Sequence, residues 1–514
     1  MPSLTGRFGV VGAGVMILMV AACAGPSESR APTESASPPA SFNGEWETCP
    51  DKPGWDCNTI AVPWDYRDQR RYGDIELQVV RHPAGKPKDR LGALLWNPGG
   101  PGAAAIDDID ESLFSRGILD HFDIVTFTPR GTAVSGLACP DGTGSFISER
   151  DGLLPSLLDR ADTEHWYAKI AEFNRACALA MGDKATLIGT WQTAADMDVI
   201  RRALGEERVS FLGYSYGGRL GQVYAHRFGA HLRALVMDSP GETQGDIGQY
   251  AQGKGEAFAN RFRALDLLCG YQAKRRWCGL GAEPTSVYAE TLVRLIDGDL
   301  SITPAVTPDK FTMLMIDAMP DTQPETMKEA AAALRAATRG SAGPLIRLVE
   351  GDDDDSLDQT VEPDASGTES GPASDYREDD ALVAINCADS ATRPDLQAIM
   401  RTTETIAAEH PDSALYAGSL AGLCVDWPLG SDPIGPATAD LEAQVLIVKA
   451  KGDPQTAPGA ANLNATAFEK PVVLTWNGFK HGVTGTGAAP CVDDAVTAYL
   501  LDPAAPIEAD ACTR

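Results

Sequence analysis

Val209-Ser210-Phe211-Leu212-Gly213-Tyr214-Ser215-Tyr216-Gly217-Gly218 decides the fold of this 514-residue chain. Its first half is a short apolar run of the kind that forms a buried parallel strand, and residues 219–228 behind it read as a helix. Between them lies a Gly-x-Ser-x-Gly turn. Its glycines permit close backbone approach and hold Ser215 on a tight bend with Oγ exposed. The five-residue pattern alone is weak. A strand before it and a helix after it make Ser215 a candidate nucleophile rather than a serine in an ordinary glycine turn.

A serine hydroxyl has a pKa far above 7, so it needs a base, and the base needs an orienting carboxylate. Seven histidines are available. His226 and His231 lie on or just past the helix behind Ser215, His121 precedes a strand, His82 ends one, and His165 and His410 fall in helix-like stretches. His481, in Gly478-Phe479-Lys480-His481-Gly482, follows the last strand pattern, where a loop can carry it over Ser215. Strand-turn-helix elbows of this kind order their partners Ser, acid, His along the chain. Asp453, in Gly452-Asp453-Pro454 after the apolar run 445–448, fits that order, with Asp426 the alternative. For the oxyanion, Asn97-Pro98-Gly99-Gly100-Pro101-Gly102 follows another buried run. Gly100 is the expected backbone donor, with Gly99 its competitor, joined by the N–H of Tyr216. The loop lacks the Lys-Ser/Thr of a phosphate loop.

Outward from these motifs, strand patterns alternate with helical ones. Residues 74–81 alternate as a half-buried strand, whereas 91–96, 123–127, 209–212, 232–237, 445–448 and 472–476 are short apolar runs suited to buried parallel strands. Residues 193–204 form an amphipathic helix feeding the strand at Val209. The class is therefore α/β: a mostly parallel sheet with helices on both faces. The alternation stops over residues 240–441, an insert with helical stretches such as 255–268 and 324–337, read as a helical cap. Within it, residues 350–380 carry 13 acids against one base, as expected of a solvated loop. Asp352 to Asp355 lack the spacing and turn glycine of an EF-hand.

Residues 8–20 form an apolar run too short to span a bilayer, matching a signal-peptide core over residues 1–22. Val20-Ala21-Ala22-Cys23 resembles a bacterial lipobox, which makes Cys23 the expected lipidation site and residues 23–44 a flexible tether. The alternative is an ordinary signal peptide with an incidental cysteine. Eleven cysteines less Cys23 leave an even ten. In an exported chain these suggest disulfides, although sequence does not fix their pairing. Pairing sequential neighbours gives short loops: Cys49 with Cys57, Cys139 with Cys177, Cys269 with Cys278, Cys387 with Cys424, and Cys491 with Cys512. No Cys-x-x-Cys or histidine cluster suggests a metal. Acids outnumber bases 72 to 43, a net charge of −29. Such a surface disfavours nucleic acid and unaided docking on anionic lipid.

The motifs at 97–102, 121–123, 213–218, 452–454 and 481–482 together resemble the secreted tripeptidyl aminopeptidases of actinobacteria, α/β-hydrolases related to prolyl aminopeptidases. The resemblance covers about residues 45–512. It implies an α/β-hydrolase fold with an eight-stranded sheet, residues 45–239 and 442–514 forming the core, and the cap at 240–441 entering after the sixth strand. It also implies serine exopeptidase chemistry without metal or cofactor: Ser215 as nucleophile, His481 as base and acid, Asp453 as orienter, Gly100 and Tyr216 as oxyanion donors. The family usually has Asp-Pro-Arg-Gly where this chain has Thr128-Pro129-Arg130-Gly131, and commonly Gly where it has Lys480. Neither position belongs to the triad.

Three functions remain open: a cell-surface aminopeptidase releasing tripeptides or dipeptides from peptides with a free N-terminus, an esterase or lipase with the same triad, and a non-catalytic binding lipoprotein. Glu242 is one of many acids that could hold the substrate ammonium. The expected place is the outer face of the cytoplasmic membrane or the cell envelope, through the lipid anchor alone, or free after release. Oligomeric state is not legible.

Overall fold

The computed structural model describes residues 40–103, 105–132, 139, 160–243, 246–271, 278–281, 283–319, 324–350, 373–435, 437–457, 459–509 and 512–513. The leader, Cys23, most of the tether and most of the acidic stretch lie outside these residues. Strands that are apolar at every position need cover on both faces, and the central ones obtain it. In chain order the strands are β1 (Glu47–Thr48), β2 (Asp56–Pro63), β3 (Asp74–His82), β4 (Gly92–Asn97), β5 (Phe122–Phe127), β6 (Val209–Tyr214), β7 (Leu232–Asp238), β8 (Val445–Ala450) and β9 (Pro471–Trp476). They form one sheet ordered β1-β2-β3-β5-β4-β6-β7-β8-β9. The first three pairings are antiparallel and the remaining five parallel.

The sheet has nine strands, not the expected eight. β1 is only two residues long and pairs Glu47 with Cys57, where the Cys49–Cys57 disulfide pins it. β2 has no clear apolar signature because its first half is polar, leaving Ile60 and Val62 as its fully buried residues. β9, expected to be buried, is an edge strand on which Leu474 alone is fully covered.

Side chains alternate between faces along each strand. Leu95 and Phe211 face the core under helices Arg160–Met181, Thr190–Ala203 and Tyr216–Phe228. Trp96 and Leu212 face the opposite one, with Ile118 of helix Arg116–His121 and Val492 and Val496 of helix Pro490–Leu501.

The insert between β7 and β8 is helical and divides in two. Helices Ile247–Tyr271, Pro284–Ile296, Pro308–Asp317, Pro324–Ala337 and Gly343–Glu350 enclose a core of their own around Phe262, Tyr288, Phe311 and Leu334. Helices Ala373–Asp389, Leu396–Glu409 and Ala414–Leu420 instead join the sheet core through residues such as Ile385, Ile399 and Leu420. The disulfides link Cys49–Cys57, Cys139–Cys177, Cys269–Cys278, Cys387–Cys424 and Cys491–Cys512, each cysteine with its neighbour in sequence. Among the described residues no helix is long and apolar enough to cross a membrane.

Candidate active site

The register aligns the carboxyl ends of the parallel strands. Asn97 of β4 is level with Gly213 of β6, Tyr214 with Asp238 of β7, Asp238 with Val448 of β8, and Ala450 with Trp476 of β9. The order β5-β4-β6 reverses the direction of strand addition at β4, so a crevice opens between the carboxyl ends of β4 and β6. The Gly99-Gly100 loop leaves β4 there and Ser215 leaves β6. Asp453 and His481 follow β8 and β9 along the same edge.

Ser215 occupies φ 53°, ψ −118°, a conformation an L-residue rarely adopts. Surrounding bonds impose it: Ser215 N–H donates to Asp238 O at 2.9 Å, and Ser215 O accepts from Gly218 N–H at 3.0 Å. The bend also needs bare backbone. A Cβ on Gly213 would stand 2.3 Å from Gly217 O, and one on Gly99 would stand 2.9 Å from Ser215 Cβ.

Asp453 is buried and bonds His481 Nδ1 through both carboxylate oxygens, at 3.0 and 3.1 Å. It also accepts from Gln455 N–H at 2.8 Å, Thr456 N–H at 3.0 Å and the Thr456 hydroxyl at 2.9 Å. Burial pushes this carboxyl up, but the His481 charge and these hydrogen bonds outweigh it and hold Asp453 below its ordinary value. The carboxylate is therefore available to orient the imidazole. Ser215 Oγ and the imidazole are not directly hydrogen-bonded among the described contacts. Catalytic pairs often close to bonding distance only around substrate.

The two candidate oxyanion donors of the Gly99-Gly100 loop differ in their existing bonds. Gly99 N–H already donates to Asn97 Oδ1 at 3.1 Å. Gly100 lines the cleft with Ser215 and Tyr216. Tyr216, the first residue of its helix, has no intrahelical acceptor for its N–H.

Asp426 is elsewhere engaged. It is half exposed and paired with Arg175 at 2.5 Å. His121, His226 and His231 bond backbone carbonyls, and His82 pairs with Glu111.

Several residues outside the sequence motifs complete the edge. Asp238 accepts from Val483 N–H at 3.0 Å and Thr484 N–H at 2.7 Å, while Ser239 Oγ accepts from Gly482 N–H at 3.1 Å; together they fix the turn behind His481. From the insert, Asn260 Nδ2 donates to Asp453 O, Arg261 Nε to Pro454 O and Lys254 Nζ to Gln455 O, so helix Ile247–Tyr271 braces the acid loop. The Asp-Ser-Pro end of β7 carried a readable turn signal. The helix residues carried none.

The cleft beside Ser215 is walled by Gly100, Tyr216, Arg219, Glu242, Lys254 and Asn386, among others. Glu242, raised in sequence as one acid among many, is therefore on its wall. Burial pushes its carboxyl pKa up, against Arg219 and Lys254 nearby. An adjoining cavity shares Arg219, Tyr250 and Asn386 with it and extends toward Asp246.

Family models match twice: residues 92–311 fit the alpha/beta hydrolase fold, and residues 413–512 the TAP-like protein family. The chain is 30% identical over 468 residues to carboxylesterase B of Mycobacterium tuberculosis, covering 87% of this chain and 84% of that one. It is 29% identical over 477 residues to the serine protease Hip1 of the same organism, covering 89% and 87%. To the tripeptidyl aminopeptidase of Streptomyces lividans it is 27% identical over 491 residues, covering 92% and 87%.

Proposed function

Since the chain belongs to the TAP-like family of α/β-hydrolases and is a serine hydrolase, we propose that it is an aminopeptidase releasing tripeptides or dipeptides from free N-termini. The observation that carries the exopeptidase reading is the wall of the cleft: helix Ile247–Tyr271 of the insert and Glu242 close in on Ser215. A cleft so walled suits a chain end better than the middle of a long polypeptide, and a carboxyl on its wall suits an ammonium.

In this reading Ser215 Oγ attacks the scissile carbonyl and passes its proton to His481 Nε2, while Asp453 holds the Nδ1–H and stabilises the imidazolium. The N–H groups of Gly100 and Tyr216 receive the developing oxyanion. The imidazolium protonates the departing amine. Water, deprotonated by His481, then attacks the acyl-enzyme, releases the short peptide and restores Ser215.

Products from one short peptide, offered with free and with acetylated N-terminus and read by mass spectrometry, test this. Release of an N-terminal tripeptide or dipeptide from the free form alone is the expected result; cleavage of both forms alike would sink the exopeptidase reading. The identity to carboxylesterase B favours one second reading, an esterase with the same triad. A far higher kcat/KM on acyl esters than on tripeptidyl amides would select it.

Export with a lipid on Cys23 belongs to the same proposal. Five disulfides in a chain of this size support an oxidising compartment. A clickable fatty acid fed to producing cells is expected to label the wild type and not Cys23→Ala. Equal labelling of both would remove the anchor from the account.

A further inference from the structure

Lys254 stands on the wall of the cleft that holds Ser215, carried there by the first helix of the insert. A buried ammonium has three N–H donors to satisfy. Among the described residues Lys254 Nζ has one hydrogen-bond acceptor, Gln455 O at 3.0 Å, with the rings of Tyr250 and Phe258 at 5.6 and 5.8 Å.

Among the described residues none of the charged groups around it forms an ion pair with it. Arg219 donates to Glu242 O, Asn386 Oδ1 and Asp389 Oδ2 at 3.2, 2.8 and 3.5 Å. Asp453 is bonded to His481. Glu242 lies against Gly253, where an added Cβ would meet its Oε1 at 2.6 Å, and among the described residues it forms no ion pair with Lys254. Lys254 is thus a cation facing the cleft with donors to spare.

The side of the scissile bond follows from the chemistry. The leaving amine must depart beside the imidazole that protonates it, and His481 is not among the residues that wall this cleft. The cleft therefore receives the acyl portion of the substrate.

The geometry points to Lys254 as a specificity-determining residue that binds a carboxylate on the acyl portion, so that the preferred substrates carry an acidic side chain on the residue whose carbonyl Ser215 attacks. The assignment rests on Ser215 being the nucleophile. Burial, with Arg261 adding to it, brings the ammonium down to about 8, which leaves it charged near neutral pH. A charge-assisted bond in such a cleft discriminates strongly against a neutral isostere.

Glutamate and glutamine differ by this charge at nearly constant shape. The test compares Ala-Ala-Glu and Ala-Ala-Gln para-nitroanilides, both with free N-termini, on the full-length protein, on Lys254→Met and on Lys254→Arg. The wild type is expected to favour the Glu substrate in kcat/KM by roughly tenfold to a hundredfold, mainly through KM. Lys254→Met should bring the ratio toward one, and Lys254→Arg should keep a preference. The ratio is taken within each variant, so partial misfolding cancels from it.

Equal wild-type rates on the two substrates would overturn the assignment. So would a Met variant slowed on both substrates with its ratio intact, since that is what a purely structural lysine would give. If neither amide is cut while a fluorophosphonate still labels Ser215, the peptidase reading fails separately. The same ratio is then read on para-nitrophenyl monoadipate against the hexanoate ester, with the same expected and overturning outcomes.

Discussion

Ser215→Ala is expected to lower kcat by about 10⁶ on any amide or ester that the wild type hydrolyses, because the step that forms the acyl-enzyme loses its nucleophile. The residue left behind is nearly isosteric. The turn, however, was built around a strained backbone at this position, with φ 53°. Alanine tolerates that φ no better than serine, so the variant should fold with the same bend, and the loss can be assigned to chemistry. His481→Ala should cost about as much, and the double variant little more than either single one, because the groups act as a unit. Active-site titration with a fluorophosphonate checks this independently of turnover: stoichiometric labelling of the wild type, none of Ser215→Ala. A Ser215→Ala protein that keeps even a hundredth of the activity would remove Ser215 from the mechanism.

The parts of this edge legible in the sequence are those whose geometry is written locally. Gly213 is demanded by a contact within the elbow itself, where an added Cβ would meet Gly217 O, while Gly217 is demanded by Asn97 of β4; both fall inside the elbow's five-residue pattern, so the bend shows in sequence although only one of its two constraints is local. Asp453 and His481 could be named because each follows an apolar run and the chain order of such triads is fixed. Lys254 could not. It reaches the cleft only because its helix packs on the Asp453 loop, through a bond to Gln455 that spans 201 residues. In sequence it is one lysine just ahead of the helical stretch 255–268. Asp389 was hidden for the same reason: its carboxylate accepts from Thr190 N–H and Thr190 Oγ1, 199 residues away. Strand identity failed at β2, whose half-polar sequence gives no continuous burial signal, whereas β9 was read as a strand and only its expected burial failed, because it lies at the sheet edge. The Gly99 and Gly100 alternatives were equivalent by composition. They separate only through the bond from Gly99 N–H to Asn97 Oδ1.

Arg130→Met is expected to destabilise the fold by about 3–5 kcal/mol, the range for breaking one side of a buried ion pair. Arg130 and Asp196 are both fully buried and joined by two bonds, Nε to Oδ2 at 2.7 Å and Nη2 to Oδ1 at 2.5 Å. The remaining guanidinium N–H groups donate to Trp64 O, Leu187 O and Pro63 O, which ties β2 and its following loop to the region before helix Thr190–Ala203. Methionine fills much of the volume but takes the Arg130 donors from three carbonyls and both of the guanidinium bonds from the Asp196 carboxylate. Tyr66, bonded to Asp196 Oδ1 at 2.5 Å, can satisfy one oxygen but supplies no charge. Burial already pushes Asp196 upward, and the Arg130 charge is what opposes it. Without that charge the folded variant holds a proton on Asp196 more tightly than the unfolded chain does, so its stability falls as pH rises from about 4. Wild type shares the first part of this fall because its own Asp196 is raised, so the deficit should be small in acid and widen once the wild-type carboxyl ionises and the variant's does not. Urea unfolding across that range measures it. If the pair is costly to bury, Arg130→Met combined with Asp196→Leu should recover most of the loss, since neither charge then remains. A single Arg130→Met variant within about 1 kcal/mol of wild type near neutral pH would show that the interior charge is relieved in some other way. The Thr128-Pro129-Arg130-Gly131 segment would then have no structural task that the departure from Asp at its first position could disturb.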